Sequence, residues 1–375
     1  MPSLAHAPQT FRWHIASCPS RRHPLQRPSA TRNAKPGMGE GLGAHAPRTR
    51  HARRGTTRAA AKDAIDRAVE EYITDSDTLA QLERDDLAGP LAVTGTSFLG
   101  GSSWSSAYKL TATDANNTKL DFFVKTARGR DSDSMFKGEA LGLTAMRRAA
   151  EPSTEPSTPA SLAVPKVYTY GDASNGSFII MEYMKFTSGS DMRALGTAVG
   201  KMHRFGTADR YGFDVDNTIG GTPQPNPWMD DWVEFFKIHR LQHQVNLAND
   251  SRLTKMCNEL ISSGKYERLF EGAVLKPALV HGDLWSGNIG WSDGKPALFD
   301  PATYYGHSEC EFGMSWCAGF TGTFWSAYFE VIPKAPGFDR RHDLYTLYHY
   351  LNHYNLFGSG YYGNCERLFS RLLSK

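Results

Sequence analysis

The sequence has few cysteines and no long hydrophobic run. No apolar stretch in its 375 residues approaches the roughly 18 residues that a membrane-spanning helix needs. The five cysteines are irregularly spaced and form no CxxC pair: Cys18, Cys257, Cys310, Cys317 and Cys365. These two deficits argue against a membrane protein and against a disulfide framework, and we expect free thiols in a reducing compartment.

Acidic residues are almost missing from the start of the chain. Residues 1–62 contain twelve Lys or Arg and a single acid, Glu40. A leader rich in Arg, Ala, Ser and Pro without a long apolar segment predicts an organellar transit peptide over residues 1–61, cut near Arg58. Composition does not separate a plastid leader from a mitochondrial one, and we favour the chloroplast. The alternative is a disordered basic tail that stays attached to a cytoplasmic protein.

The rest of the chain has the composition of a folded enzyme. Beyond residue 62, 30 basic side chains face 38 acidic ones, which leaves no basic surface for nucleic acid. The chain is 40% hydrophobic and long enough for two domains with a sizeable core. We therefore expect neither a nucleic-acid nor a membrane partner, and a monomer or weak dimer.

The most informative segment is residues 281–288, HGDLWSGN, which is followed by a short apolar run that ends at Asp300. In phosphoryl transfer by kinases, an Asp takes the proton of the attacking hydroxyl, an Asn further along the loop holds Mg²⁺, and a second Asp joins the metal to the phosphates. Asp283, Asn288 and Asp300 supply these residue types in that order. The segment therefore predicts an ATP- and Mg²⁺-dependent phosphotransferase.

Residues upstream supply the other half of such a site. Lys125 ends an apolar strand, and Glu139 lies in a helix predicted over residues 134–150, as in the Lys–Glu pair that holds ATP phosphates. Gly100 and Gly101 lie in a turn whose backbone could approach those phosphates. Each signal is weak alone, since a surface Lys or an ordinary Gly/Ser turn is the more common outcome, and only their combination with the later segment supports a nucleotide site.

A third candidate segment follows the strand over residues 178–181. In a two-lobed kinase, the backbone of Glu182, Tyr183 and Met184 would form the hinge that binds the adenine edge. A plain buried strand end is the alternative that these residues alone leave open.

The hydrophobic pattern predicts a β-rich first part and a helical second part. An amphipathic helix is expected over residues 62–73, and a hairpin joins strands 107–113 and 120–125. Residues 151–165 and 219–228 are rich in turn formers, and we expect both to be exposed loops, the second at the border of the acceptor pocket.

Three further polar residues, His307, Glu309 and Glu311, have the composition of a metal cluster. The metals of phosphoryl transfer prefer oxygen ligands from Asp and Asn. We therefore expect these three side chains to form a structural network.

Taken together, the motifs resemble the fructosamine/ketosamine-3-kinase family over roughly residues 62–375. The resemblance rests on five segments: MFKGE at 135–139, TPQPNPW at 222–228, HGDLWSGN at 281–288, DPA at 300–302 with the run to Glu311, and IPKAPGF at 332–338. It implies an α+β, protein-kinase-like bilobal fold. The small β-rich lobe would span residues 62–184 and the larger, mostly helical lobe residues 185–375.

The family resemblance also implies a substrate. Its members phosphorylate the 3-hydroxyl of ketosamines, which are sugar adducts on protein lysines or small amines, and the unstable product restores the free amine. Plant-type relatives tend to prefer ribulosamine or erythrulosamine over fructosamine. Asp283 would be the catalytic base, and Trp285 beside it a platform for the sugar.

Two other functions remain open at this point. One is a kinase of a free small molecule, such as an amino alcohol or an aminoglycoside, which would share the HGD site but would not be expected to carry Trp285 and residues 222–228 in this form. The other is a catalytically inactive, kinase-shaped binding protein, disfavoured because all five candidate polar residues are present.

Overall fold

The structure, a computed structural model, describes residues 91–127, 132–150, 161–173 and 176–374. The predicted transit peptide and the helix predicted over residues 62–73 lie outside the described residues. Within them, no helix is both long and apolar enough to cross a membrane.

The first part of the described chain is a twisted antiparallel sheet in the order β1-β2-β3-β5-β4. Its strands are β1 (Ala92–Gly101), β2 (Ser106–Thr113), β3 (Lys119–Ala127), β4 (Val167–Ala173) and β5 (Gly176–Glu182). The β2–β3 turn forms because the Asp114 carboxylate accepts hydrogen bonds from the amides of Asn116 and Thr118, while Asn117 takes a left-handed φ of 59°. The hairpin expected from the sequence is confirmed.

One long helix, α1 (Ser132–Ala150), lies on this sheet and faces the second lobe. Two glycines one turn apart bring it close to that lobe. A Cβ on Gly138 would lie 2.4 Å from the Cβ of Asn217, and one on Gly142 would lie 2.8 Å from the Thr303 hydroxyl. The helix that carries Glu139 therefore rests directly on the other lobe.

The second lobe is mainly helical, and aspartates cap several of its helices. Asp191, Asp231 and Asp250 each accept backbone N–H groups of the first turn of the helix that follows. A π-helical turn, Lys237–Gln242, directly follows the helix Trp232–Phe236. The helices are α2 (Met192–Phe205), α3 (Trp232–Phe236), α4 (His243–Ala248), α5 (Ser251–Ser262), α6 (Lys265–Arg268), α7 (Ser315–Ala318), α8 (Gly322–Val331), α9 (Phe338–Phe357) and α10 (Tyr362–Leu373).

Three short antiparallel pairs support the site between the lobes. They are β6 (Asn217–Ile219) with β7 (Thr222–Gln224), β8 (Pro277–Val280) with β11 (Tyr304–His307), and β9 (Ile289–Ser292) with β10 (Lys295–Leu298). Segment 281–288 begins where β8 ends, and the β9–β10 hairpin brings the chain back to Asp300. The antiparallel N-terminal sheet and helical C-terminal region confirm the expected bilobal α+β fold.

Two expectations about exposed loops were wrong. At the end of the first loop, Leu162 and Val164 are buried in the core, and the backbone of Ala163 hydrogen-bonds with Pro296 and Leu298 of β10. Residues 151–160 lie outside the described residues. Thr222 and Gln224 are also buried, because the turn-rich segment folds into the β6–β7 hairpin and its polar side chains hydrogen-bond inside the protein.

Candidate active site

The backbone of the HGD segment takes a shape that its glycine permits. Gly282 has a φ of 81°, and a Cβ there would lie 2.1 Å from the carbonyl oxygen of Ala302. The amide of Ala302 in turn donates to the carbonyl of His281 at 2.9 Å. Segment 281–288 and the residues after Asp300 are therefore held in direct backbone contact.

The buried carboxylate of Glu311 binds the backbone of this loop. Glu311 accepts hydrogen bonds from the amides of His281 (2.7 Å) and Gly282 (3.0 Å) and from the ring of His203 (3.1 Å). Burial alone would raise the pKa of Glu311, but the His203 hydrogen bond and the other partners hold it below its usual value. Glu311 is thus an ionised anchor for the catalytic loop.

His281 connects the loop to the strand that leads to Asp300. Its Nε2 donates to the carbonyl of Phe299 at 3.0 Å, and its Nδ1 accepts the amide of Asp283 at 3.2 Å. Burial lowers the pKa of His281, which keeps the ring neutral, as these two hydrogen bonds require. The sequence analysis assigned no role to His281. Its position between an apolar strand and the candidate base is the pattern that indicates one.

The network expected around His307, Glu309 and Glu311 is confirmed. Glu309 forms a buried two-point ion pair with Arg341, at 2.7 and 2.9 Å. His307 donates to or accepts from the Tyr345 hydroxyl at 2.8 Å. His307, Glu309 and Glu311 therefore each have a structural hydrogen-bond partner inside the protein.

Three of the predicted residues form one ion cluster between the lobes. The Lys125 ammonium lies 2.7 Å from a carboxylate oxygen of Glu139 and 2.6 Å from one of Asp300, 175 positions later in the chain. Lys125 and Glu139 are buried, whereas the Asp300 side chain is 44% exposed to the cleft. Asp300 also has a left-handed φ of 60°, a conformation that non-glycine residues adopt mainly where the surroundings impose it.

The electrostatics of the cluster follow from its burial and its charges. Burial lowers the pKa of Lys125, but the charges of Asp300 and Glu139 outweigh it and raise that pKa above the usual value. For Glu139, burial and the nearby Asp300 raise the pKa, against the effect of Lys125. The lysine is therefore a permanent cation between two carboxylates.

The remaining two predicted polar residues meet on the other side of Asp300. The Asn288 amide nitrogen donates to the Asp283 carbonyl at 2.9 Å, and it lies 3.3 Å from both the Asp283 carboxylate and the Asp300 carbonyl. Asn288 is buried and belongs to a short 3₁₀ turn, Ser286–Asn288. The small-residue turn brings Asp283 and Asn288 to one point, as the sequence spacing predicted.

These residues line a large cavity of about 1150 Å³ between the lobes. Its walls include Lys125, Glu139, Asp283, Asn288 and Asp300. Trp285 also lines it, and its ring covers the space where a Cβ of Gly287 would stand, at 2.3 Å. The cavity has room for a nucleotide and a second ligand.

The turn between β1 and β2 contributes to the cavity, but at different residues from those expected. Gly100 and Gly101 lie within β1 and are not among the lining residues, whereas Ser102 to Ser105 are. The difference arises because the strand continues through the glycines before it turns.

The three residues of the expected hinge have different surroundings in the structure. Glu182 and Met184 line a small pocket beside Lys125 and Asp300. The Glu182 amide donates to the Lys166 carbonyl at 2.8 Å, and the Tyr183 ring lies under the Lys109 ammonium at 4.6 Å. Phe186 and Trp291 also line the large cavity, and neither was expected from the sequence.

A buried amide network behind Asp300 was also missed. Asn217 donates to the Thr303 carbonyl at 2.8 Å, and Gln224 donates to the Ala302 carbonyl at 3.1 Å and to Asn217 at 2.8 Å. Tyr348 donates to Gln224 at 2.6 Å. The β6–β7 hairpin therefore holds the backbone that follows Asp300.

The protein has a sheet lobe and a helical lobe, and a Lys–Glu–Asp cluster faces an HGD loop across the cleft between them. This arrangement defines a kinase-like phosphotransferase. Residues 76–375 match the family model described as fructosamine kinase. The chain belongs to the fructosamine kinase family, and membership of this family of kinases implies ATP as the phosphoryl donor.

Curated relatives support the family over most of the chain. The chain is 53% identical over 279 residues to a chloroplastic protein-ribulosamine 3-kinase from Oryza sativa subsp. indica, covering 72% of this chain and 76% of the relative. It is 48% identical over 248 residues to the protein of the same name from Arabidopsis thaliana, covering 64% and 72%. It is 36% identical over 280 residues to the mouse ketosamine-3-kinase, covering 67% and 87%.

A solved structure supports the fold. A protein of the fructosamine-3-kinase type from Haemophilus somnus 129PT has a TM-score of 0.66 at 23% identity, over 80% of this chain and 96% of that one. At this identity, the likeness concerns the fold alone.

Proposed function

We propose that the protein is an ATP-dependent kinase of the 3-hydroxyl of ketosamines, of the ribulosamine type, acting on protein-linked or free adducts and leading to their removal. The observation that carries the proposal is the 53% identity to a protein-ribulosamine 3-kinase over 279 residues. The basic leader and the chloroplastic relatives together support the chloroplast as its location.

In this proposal, Asp283 is the catalytic base. Its amide is held by His281 and its carbonyl by Asn288, so the carboxylate has a fixed position at the wall of the cavity. Asp283 would accept the proton of the 3-hydroxyl. The hydroxyl oxygen would then form its bond to the γ-phosphorus of ATP while the bond between that phosphorus and ADP breaks. Most of the acceleration then comes from orientation and from charge stabilisation.

Lys125, oriented by Glu139, is proposed to contact the ATP phosphates. Because the pKa of Lys125 is raised, the side chain stays charged at any physiological pH and can stabilise negative charge on the transferred group. The proposed hinge residues Glu182, Tyr183 and Met184 would border the adenine, and Trp285 the sugar.

The donor set fits Mg²⁺. Asp300 presents a half-exposed carboxylate to the cleft, and the amide of Asn288 provides a further oxygen donor beside it, which are the hard ligands that Mg²⁺ prefers. We propose Asn288 and Asp300 as its ligands. When bound, Mg²⁺ would neutralise phosphate charge.

A substrate panel tests the proposal. The full chain, or the chain from residue 62, is incubated with Mg·ATP and ribulosyl-, erythrulosyl- or fructosyl-lysine, and ADP release and the 3-phosphate product are measured. Choline and an aminoglycoside are included as acceptors. Turnover of ribulosyl-lysine above the other acceptors is expected. Turnover of only choline or the aminoglycoside would assign a small-molecule kinase, and no turnover together with no stabilisation by Mg·ATP would assign an inactive binding protein.

A further inference from the structure

Trp104 lies at the tip of the turn between β1 and β2, in the sheet lobe. The turn is tight, because the Ser102 amide donates to the Ser105 carbonyl at 2.8 Å and the Ser102 hydroxyl accepts the amides of Trp104 (3.2 Å) and Ser105 (3.0 Å). Two backbone amides thus bind the Ser102 hydroxyl, and one of them fixes the Trp104 backbone.

The Trp104 ring reaches across the cleft to the helical lobe. A Cβ on Gly220, which has a φ of 60°, would lie 3.2 Å from the ring, and one on Gly221 would lie 3.3 Å from it. The ring of Phe357, at the end of α9, has its centroid 6.4 Å from that of Trp104. The indole therefore lies against the bare backbone of the β6–β7 turn and close to the last turn of α9.

This contact and the hinge residues line different pockets of the cleft. The small pocket beside the hinge and the large cavity share Lys125, Glu139 and Asp300. Glu182 and Met184 line only the small pocket, whereas Trp104 and Phe357 line only the large one. If adenine binds at the hinge and the phosphates at the cluster, as in the proposed function, the cavity wall that carries Trp104 is left for the acceptor.

The wall around Trp104 is aromatic and apolar. Leu356 and Phe357 line the cavity beside it, together with His353. Burial lowers the pKa of His353, so its ring is neutral and does not repel a bound cation. An aromatic wall of this kind suits a methylene chain that ends in a substituted ammonium, through apolar contact and cation–π attraction.

We propose that Trp104 and Phe357 form the subsite for the amine substituent of the ketosamine, and that this subsite makes the enzyme prefer adducts on a lysine side chain to adducts on a small amine. The inference rests on the proposed function: the sugar lies by Asp283 and Trp285, and the lysine chain leaves the cavity past Trp104.

The test compares two acceptors that share a sugar and differ in the amine. Steady-state kinetics are measured with ribulosyl-lysine, blocked at its α-amine, and with N-ribulosyl-methylamine, for the wild type, Trp104→Ala, Trp104→Phe and Phe357→Ala. Phe98→Ala is the matched control, since Phe98 is a half-exposed aromatic on β1 that makes an edge-to-face contact with Tyr108 and does not line the cavity. KM for ATP is measured in each variant.

For Trp104→Ala we expect roughly a tenfold higher KM for the lysine adduct, from lost contact with its methylene chain, and a KM for the methylamine adduct and for ATP within about twofold of wild type. Trp104→Phe should restore most of the preference, Phe357→Ala should lose part of it, and the control should keep it. An unchanged preference in Trp104→Ala, or an equal rise in KM for ATP, overturns the inference while the proposed function stands. A wild type that phosphorylates neither adduct overturns both.

Discussion

At the scale of single residues, the site depends on side chains whose positions are set by backbone hydrogen bonds. Asp283 is held through its amide by His281 and through its carbonyl by Asn288. Lys125 is held by two carboxylates from different elements. Each proposed role can therefore be removed by one substitution while the neighbouring backbone keeps its partners.

Asp283→Asn is expected to lower kcat by a factor of about 10³ or more, because an amide cannot take the hydroxyl proton. KM for ATP should change little, since the proposed nucleotide contacts are made by other residues. Steady-state assays on ribulosyl-lysine measure both constants. Asp293→Asn, in the exposed β9–β10 turn, is the control and should retain activity. Wild-type turnover by Asp283→Asn would rule out the base assignment.

Glu311→Gln is expected to destabilise the fold by about 2–4 kcal/mol, because one of its two acceptor oxygens becomes an N–H₂ group that faces backbone donors in a buried site. Denaturant unfolding measures the change. Glu330→Gln, which breaks an exposed ion pair with Arg193, should cost no more than about 1 kcal/mol. Equal effects of the two substitutions would show that Glu311 is not an anchor.

At the scale of elements, helix α1 is the part that joins the lobes. Gly138 rests on Asn217 of β6, and Gly142 rests on Thr303 beyond Asp300, so Glu139 lies between two fixed contacts. The amide network of Asn217 and Gln224 holds the same backbone from the other side. Any shift of α1 would therefore move Glu139 relative to Lys125.

Gly138→Ala is expected to cost about 2 kcal/mol of stability, since the new methyl group would stand 2.4 Å from the Asn217 Cβ and must displace the helix or the hairpin. The displacement should also raise KM for ATP. Thermal unfolding and steady-state kinetics measure the two effects. The control is Gly363→Ala in α10, where nothing lies within 4 Å of an added Cβ and the helix should be unchanged or slightly more stable. If both variants behave alike, close contact at Gly138 is not required.

At the scale of the whole molecule, the helical lobe buries several histidines as neutral groups. Burial, and to a smaller extent the neighbouring Arg341 and His203, lowers the pKa of His307 to about 3. Burial, together with His353 and Arg240, lowers that of His349 to about 3. The unfolded chain takes up these protons near pH 6.5, whereas the folded protein does not. Stability from these groups is therefore present above pH 6.5 and lost as the pH falls towards 3.

Unfolding free energies are expected to fall between pH 7 and pH 5, by about 2 kcal/mol for each such histidine at pH 5. Denaturant titrations at several pH values measure the slope. His307→Asn, which cannot titrate in this range, should show a smaller fall than the wild type. A comparison at pH 8, where the histidine is neutral in both states, isolates the packing cost of the substitution. A variant with the same slope as the wild type would contradict the neutral state of His307.

The sequence by itself determined the kind of chemistry and the candidate residues, because the spacing of HGDLWSGN and Asp300 is a local property that one loop and one hairpin realise. Helix α1 and the β2–β3 hairpin were predictable for the same reason, since period and turn residues act over short distances, whereas the bilobal fold was expected from the family resemblance.

Only the tertiary structure decided how the polar residues of the β6–β7 hairpin are used. Asn217 and Gln224 look like loop residues locally, but they are buried because their partners, the carbonyls of Thr303 and Ala302, come from 86 and 78 positions away. The reach of Trp104 across the cleft depends in the same way on Gly220 and on the end of α9. Such contacts form only after the lobes pack, and no local pattern of residues specifies them.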